Sequence, residues 1–196
     1  MIIGVDLDDV LMDFFGPFLE FYNKKNGTNY RKEQITSYDF WELLGVTRER
    51  VIEEVHAFYK TPEFMKILPL DGAINGINSL EVGGNKLIIV TGRPEYEREI
   101  SEEWIGQHFP GRFSSFYFTN NFSKNGIPPR RKAEVCLKQN IPILLEDSLK
   151  TATDCATNGV KVFLFDRPWN QIESLPKGVV RVKSWEELLE LLKKIQ

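Results

Sequence analysis

Ile2-Ile3-Gly4-Val5-Asp6-Leu7-Asp8-Asp9-Val10 opens on an apolar run and stops at three carboxylates. Such a run predicts a buried parallel strand with the acids at its carboxyl end, because a strand covered on both faces is apolar throughout. Working outward, similar runs recur at Lys86–Val90, Ser115–Thr119, Ile141–Leu145 and Val160–Phe165. Helical patterns lie between them. Gly72–Val82 closes on Gly83, Glu95–Gln107 follows Pro94, Arg131–Gln139 ends before Asn140, and Ser148–Thr157 stops at Asn158-Gly159. A last helix is predicted over Trp185–Ile195, with Ser184 and Glu187 as its capping box.

Strand and helix alternating at this spacing mean βαβ units. The expected fold is α/β, a Rossmann-like three-layer core whose mainly parallel sheet carries helices on both faces. Residues 13–70 break the alternation. They show helical patterns at Phe14–Lys25, Tyr38–Leu44, Arg48–Tyr59 and Pro62–Lys66, with Thr47 and Thr61 as N-caps and Pro62 at the first helical position. This segment holds 12 of the 24 aromatic residues, which predicts a separate small α-helical cap inserted after the first strand. The core is then 1–12 and 71–196.

With 196 residues, 42% of them hydrophobic and 27% charged, the chain suits one buried core with an accessory unit. A net charge of −3 gives no general attraction to a nucleic-acid polymer or an anionic membrane. Arg130-Arg131-Lys132 is a local basic exception. No apolar run reaches the roughly 18 residues of a membrane span, and Asp6, Asp8 and Asp9 interrupt the N-terminal run, which argues against a secretory signal. Cys136 and Cys155 fall in predicted helices and read as reduced core thiols of a cytoplasmic protein. Oligomeric state is not legible.

Four pieces carry chemistry. Clustered carboxylates after the first strand raise one another's pKa unless a cation intervenes. A hard cation such as Mg²⁺ takes oxygen ligands and suits a phosphate substrate, and Asp is a nucleophile for phosphoryl groups. Val90-Thr91-Gly92-Arg93-Pro94 brings a hydroxyl and the amides of a glycine turn to a second strand end, where they can hold phosphate oxygens. Lys132 starts a helix, where its charge can meet phosphate; Lys138, deeper in that helix, is the alternative. Leu144-Leu145-Glu146-Asp147-Ser148 ends another strand with two more acids that can join a metal site. Singly, these have ordinary readings: an acidic turn, a turn threonine, a solvated lysine, an acidic helix start. Jointly they converge where open α/β sheets bind ligands, outside the carboxyl ends of the strands.

Asp6-Leu7-Asp8-Asp9-Val10, Thr91-Gly92-Arg93, Lys132 and Glu146-Asp147-Ser148 together resemble the four motifs of the haloacid dehalogenase (HAD) superfamily. The resemblance covers the whole chain, because the helical insertion after the first motif is similar to that superfamily's first (C1) cap class. Leu70-Asp71-Gly72-Ala73, Lys86–Pro94 and Phe165-Asp166-Arg167-Pro168-Trp169-Asn170 further resemble its cytosolic 5′(3′)-deoxyribonucleotidase-like branch. The resemblance implies a hydrolase of a small phosphate monoester that uses Mg²⁺ and an aspartyl-phosphate intermediate. Asp6 would be nucleophile and metal ligand, and Asp8 the general acid/base with its carbonyl on the metal. Thr91, Gly92 and Lys132 would hold the phosphoryl group. Asp147 would complete the metal site, with Glu146 supporting it directly or through water. Two departures stand out: Asp9 and Val10 replace the Gly-Thr common after the second acid, and Thr151 stands where a more distal acid is frequent.

Several readings stay open. Nucleoside monophosphate, sugar phosphate and phosphoglycolate are all admissible substrates. A carbon–halogen hydrolase and a non-catalytic phospholigand-binding protein are the rivals; Asp8 argues against the first, and Asp6 together with Asp8 against the second. Tyr38, Phe40 and Trp41 are candidate selectivity residues that could stack on a base or sugar, against ordinary aromatic packing. Arg167 and Asn170 could reach the site mouth or merely form a Pro-containing turn. His56 and His108 join no ligand or triad pattern and read as surface or packing residues.

Overall fold

The protein is described by a computed structural model covering residues 1–124 and 127–194. In chain order it contains β1 (Ile2–Val5), α1 (Phe15–Asn26), α2 (Arg48–Tyr59), α3 (Ala73–Val82), β2 (Lys86–Thr91) and α4 (Arg98–His108). There follow β3 (Phe113–Phe118), α5 (Lys132–Lys138), β4 (Ile143–Glu146), α6 (Leu149–Thr157), β5 (Lys161–Phe165), β6 (Val179–Val182) and α7 (Trp185–Lys193). The six strands form one sheet in the order β3-β2-β1-β4-β5-β6, and every neighbouring pair is parallel.

Period-two alternation divides each strand between two hydrophobic layers. Ile3, Val5, Leu87, Ile89, Ile143, Leu145, Phe163 and Phe165 face one layer, which α3, α4 and α7 complete through residues such as Ile77, Trp104 and Leu188. Ile88, Val90, Leu144, Val162 and Leu164 face the other, covered by α5 and α6 through Ala133, Cys136, Ala152 and Cys155. Both cysteines are free and buried. The insertion contributes to the first layer: Phe18, Phe58 and Phe64 are fully buried, each stabilising by about 1.5–3 kcal/mol relative to exposure. The chain leaves β1 toward β2 and β4 toward β5, on opposite sides, so a crevice opens outside their carboxyl ends. Among the described residues no helix is long and apolar enough to cross a membrane.

Several local expectations are corrected. Tyr38–Leu44 is not a helix but a run of turns, with Glu42 N–H on Asp39 O (3.1 Å) and Leu44 N–H on Phe40 O (3.2 Å). The segment is too short to nucleate alone, and its aromatic side chains have different destinations, described below. Pro62–Lys66 reduces to a 3₁₀ turn at Phe64–Lys66. Thr61 does not cap it, since its hydroxyl donates back to Phe58 O. Thr47 does cap α2, accepting from Arg50 N–H. Ser184 caps α7, while the Glu187 carboxylate accepts from Lys183 N–H rather than from the cap residue. The predicted final position of that helix, Ile195, lies outside the described residues. β6 was not anticipated; it has only four residues and follows Gly178 at φ +92°.

Gly76 shows how tightly α3 and α7 meet: a Cβ there would lie 2.2 Å from Trp185 Cε3. The same indole donates to Val10 O (3.1 Å), just after the acidic loop. Gly76→Ala gains about 1 kcal/mol of helix propensity but forces the indole to move, and overpacking costs about 1–3 kcal/mol. The clash is fully buried and backbone-anchored, so it wins. The expected result is a Tm lower by roughly 2–8 °C; an unchanged Tm in thermal denaturation would contradict the close approach.

Candidate active site

Asp6 is the first residue beyond β1, and its N–H still pairs with Leu145 O (3.0 Å), so the sheet fixes its backbone. Its Oδ1 accepts from Leu7 N–H (2.8 Å) and its Oδ2 lies 2.7 Å from Lys132 Nζ. Lys132 also reaches Glu146 Oε2 at 2.8 Å. The other Glu146 oxygen accepts from the Asp147 and Ser148 amides (3.2 and 3.0 Å). Asp147 Oδ2 accepts from the Trp169 indole (2.7 Å), and its carbonyl from Asn170 Nδ2 (2.7 Å). One carboxylate oxygen each from Asp6, Glu146 and Asp147 lies within 4.8 Å of the others, and all three residues are buried.

Burial pushes the Asp6 carboxyl well above the usual range; Lys132 pulls it back only in part, while Glu146 and Asp8 push it further up. Asp147 is raised likewise, by burial and then by Glu146 and Asp6. Burial would lower the Lys132 ammonium, but Asp6 and Glu146 outweigh it and keep it protonated. Three carboxylates thus share one cation, a deficit that matches a divalent ion. An all-oxygen donor set suits a hard cation such as Mg²⁺, so the residues present fit that ion.

Asp8 sits about a quarter exposed, gripped by Arg93 through Nε–Oδ2 (2.9 Å) and Nη2–Oδ1 (2.6 Å). Arg93 is itself buried, donating to Ser101 Oγ (3.0 Å) and lying over the rings of Tyr59 and Phe64 at 4.7 and 5.1 Å. Asp9 adopts φ +54°, the left-handed conformation that glycine enters freely and Asp tolerates. That is why Asp can stand where Gly is common. Arg167 donates twice to the Asp9 carbonyl (3.0 and 2.8 Å), and Lys32 holds its carboxylate (2.8 Å). Burial still pushes the Asp9 carboxyl up to about 6.

Thr91 is fully buried at the end of β2, and its hydroxyl oxygen accepts from Arg93 N–H (3.2 Å), leaving its own proton to donate. Gly92 lines the pocket in front of Asp6, together with Asp8, Tyr38, Phe40 and Asp147. This inner cavity is about 50 Å³, room for a phosphoryl group and little more. Lys138 is exposed at the far end of α5.

The three candidate selectivity residues part company. Tyr38 lines the inner pocket with Asp6, Asp8 and Asp147, and burial, then Asp147 and Asp6, hold its phenol well above the ordinary pKa. Phe40 is buried against Phe15 and Phe18, at 4.8 and 6.0 Å between centroids. Trp41 lies outside the inner pocket, with the Arg48 guanidinium 5.8 Å from its ring. Of its two readings His56 takes the packing one: it is buried, with Nδ1 2.6 Å from Glu97 Oε1 and Nε2 3.1 Å from Phe122 O, tying α2 to the loop after β3. His108 packs on Trp104. Arg93 and Trp169 stood inside quoted motifs without a role. Each is a long donor just beyond a strand end, Arg93 two residues after β2 and Trp169 four after β5, and only the fold turns them toward Asp8 and Asp147.

A family model described as "5' nucleotidase, deoxy (Pyrimidine), cytosolic type C protein" matches residues 1–196. The "Putative nucleotidase BH1399" of Halalkalibacterium halodurans is 27% identical over 186 residues, covering 94% of this chain and 88% of that protein. Among solved structures, the haloacid dehalogenase-like hydrolase SP0104 of Streptococcus pneumoniae superposes with a TM-score of 0.69 at 14% identity, covering 100% of this chain and 98% of that one. The "putative HAD-hydrolase YfnB" of Bacillus subtilis, bound to magnesium, gives 0.64 at 16% identity, covering 98% of each chain.

Proposed function

The chain belongs to the family described as 5′ nucleotidase, deoxy (pyrimidine), cytosolic type C protein, and we propose that it is a Mg²⁺-dependent nucleotidase working through an aspartyl phosphate on Asp6. It is a HAD-superfamily phosphatase; the metal, the covalent step and the nucleoside monophosphate substrate are our reading. The observation that carries it is the buried set of Asp6, Glu146 and Asp147 around Lys132. The same family description, with the free thiols of Cys136 and Cys155, supports a cytoplasmic location.

Asp6, Asp147 and the Asp8 carbonyl would hold the ion, with Glu146 supporting them. Bound Mg²⁺ supplies Lewis-acid stabilisation of negative charge on phosphoryl oxygens. An Asp6 oxygen attacks phosphorus as the ester P–O bond breaks, and Asp8 gives the leaving oxygen a proton. Asp8 then takes a proton from the water that attacks phosphorus, which breaks the acyl-phosphate P–O bond and frees Asp6 and phosphate. Arg93 sets where Asp8 sits. Lys132, Thr91 and the Gly92 turn meet the phosphoryl oxygens. Residues 13–70 act as the cap, excluding water over the core of 1–12 and 71–196.

The test is phosphate release from nucleoside monophosphates, sugar phosphates, phosphoglycolate and p-nitrophenyl phosphate, with Mg²⁺ and with EDTA. Nucleotides should lead and the chelator should abolish release. Full activity in EDTA would remove the metal, and failure on every ester would favour a non-catalytic binder. Trp169→Phe keeps a ring but removes the indole N–H from Asp147 Oδ2. It should raise the Mg²⁺ concentration for half-maximal activity by about tenfold, the lower end for an outer-shell partner. An unchanged Mg²⁺ titration would mean that Asp147 needs no such support.

A further inference from the structure

Beside the inner pocket lies a second cavity of about 500 Å³ that shares Tyr38 and Phe122 with it and ends on Lys132. Five basic side chains line this outer pocket: Arg48, Arg130, Arg131, Lys132 and Lys150. Among the described residues only Asp39 and Asp154 oppose them there, although the whole chain carries −3. Arg131 is already paired with Asp154 (3.2 Å) and Lys132 with Asp6 and Glu146. Among the described residues, Arg48, Arg130 and Lys150 have no carboxylate partner within 4.0 Å.

Surface cations are often merely solvated. Here two of them are held in place. The Arg48 guanidinium lies 5.8 Å from the Trp41 centroid and 5.6 Å from that of Phe122, and donates to Asn121 O. Arg130 donates to Phe118 O (2.6 Å). Positioned guanidiniums lose less freedom on meeting an anion and match phosphate geometry. The inner cavity is the smaller of the two, and the wall it shares at Tyr38 and Phe122 gives the rest of the ester a route outward, toward these cations.

We propose that the outer pocket binds a second phosphate carried on the leaving-group side of the substrate, so that the enzyme favours a nucleoside bisphosphate over a monophosphate. This rests on the phosphatase reading above and narrows its substrate class. Arg48, Arg130 and Lys150 are the groups that meet the second phosphate, while Lys132 serves the first.

The experiment measures equilibrium binding of a hydrolysis-resistant nucleoside 5′-phosphonate, with and without a 3′-phosphate, to the Mg²⁺-loaded protein. The 3′-phosphate should lower Kd by about tenfold, in line with a charge-assisted contact. In Arg130→Gln/Lys150→Gln, two exposed positions, that advantage should fall to within about twofold while p-nitrophenyl phosphate turnover persists. No gain from the 3′-phosphate, or a gain that survives in the double variant, would overturn the proposal. So would inorganic phosphate improving the plain phosphonate equally, because the anion would then be a separate ligand. Hydrolysis of simple esters is measured alongside: its absence sinks the phosphatase reading, whereas an active enzyme indifferent to the 3′-phosphate sinks only this one.

Discussion

Asp6→Asn lowers kcat by at least about 10³-fold, the scale seen when a covalent nucleophile is removed, and leaves the fold standing. The amide is nearly the shape of the carboxylate, and its oxygen still accepts from Leu7 N–H or Lys132, which now hold Oδ1 and Oδ2. Asp6 is buried among Glu146, Asp147 and Asp8, and burial already works against its charge. Removing that charge therefore does not destabilise by the route that empties a buried ion pair, since Lys132 retains Glu146 at 2.8 Å. Turnover of p-nitrophenyl phosphate and thermal unfolding, measured together, separate lost chemistry from lost structure. Activity within about tenfold of the unmodified enzyme, with Tm unchanged, would exclude nucleophilic catalysis by Asp6.

Lys132→Met should cost both stability and rate. It leaves Asp6, Glu146 and Asp147 buried around no cation, and stripping one partner from such a set costs about 3–5 kcal/mol. Saturating Mg²⁺ should restore part of the stability, because an ion that binds only the folded state stabilises it. It should not restore kcat, which falls about 10²–10³-fold when a charge-stabilising donor is lost. Urea unfolding with and without Mg²⁺ reads the first effect and steady-state turnover the second. Lys138→Met is the control: that side chain is exposed, so its effect should stay within about 0.5 kcal/mol. Equal behaviour of the two variants would contradict the central position of Lys132.

The layered fold was legible because its strands are apolar on both faces: β1, β2, β4 and β5 all appear as runs in the sequence, shifted by at most a few residues. β6 escaped notice because Val179–Val182 is short and carries Arg181 at its third position. The turns at 38–44 defeated local pattern for another reason: tertiary surroundings direct the side chains, Tyr38 to Phe122 and the inner pocket, Phe40 to Phe15 and Trp41 to Arg48. The convergence of Asp6, Lys132, Glu146 and Asp147 was readable because each falls at or leads into a strand's carboxyl end. Arg93 on Asp8 and Trp169 on Asp147 were not, because these pairs span 85 and 22 positions and depend on where a turn aims a long side chain.

The most direct measurement is borohydride trapping. Enzyme turning over a phosphate monoester with Mg²⁺ is quenched, reduced and mapped by peptide mass spectrometry. An aspartyl phosphate is reduced to homoserine, so position 6 alone should carry that change, and only when substrate is present. Homoserine at another acid, or none under conditions of steady turnover, would contradict a covalent role for Asp6.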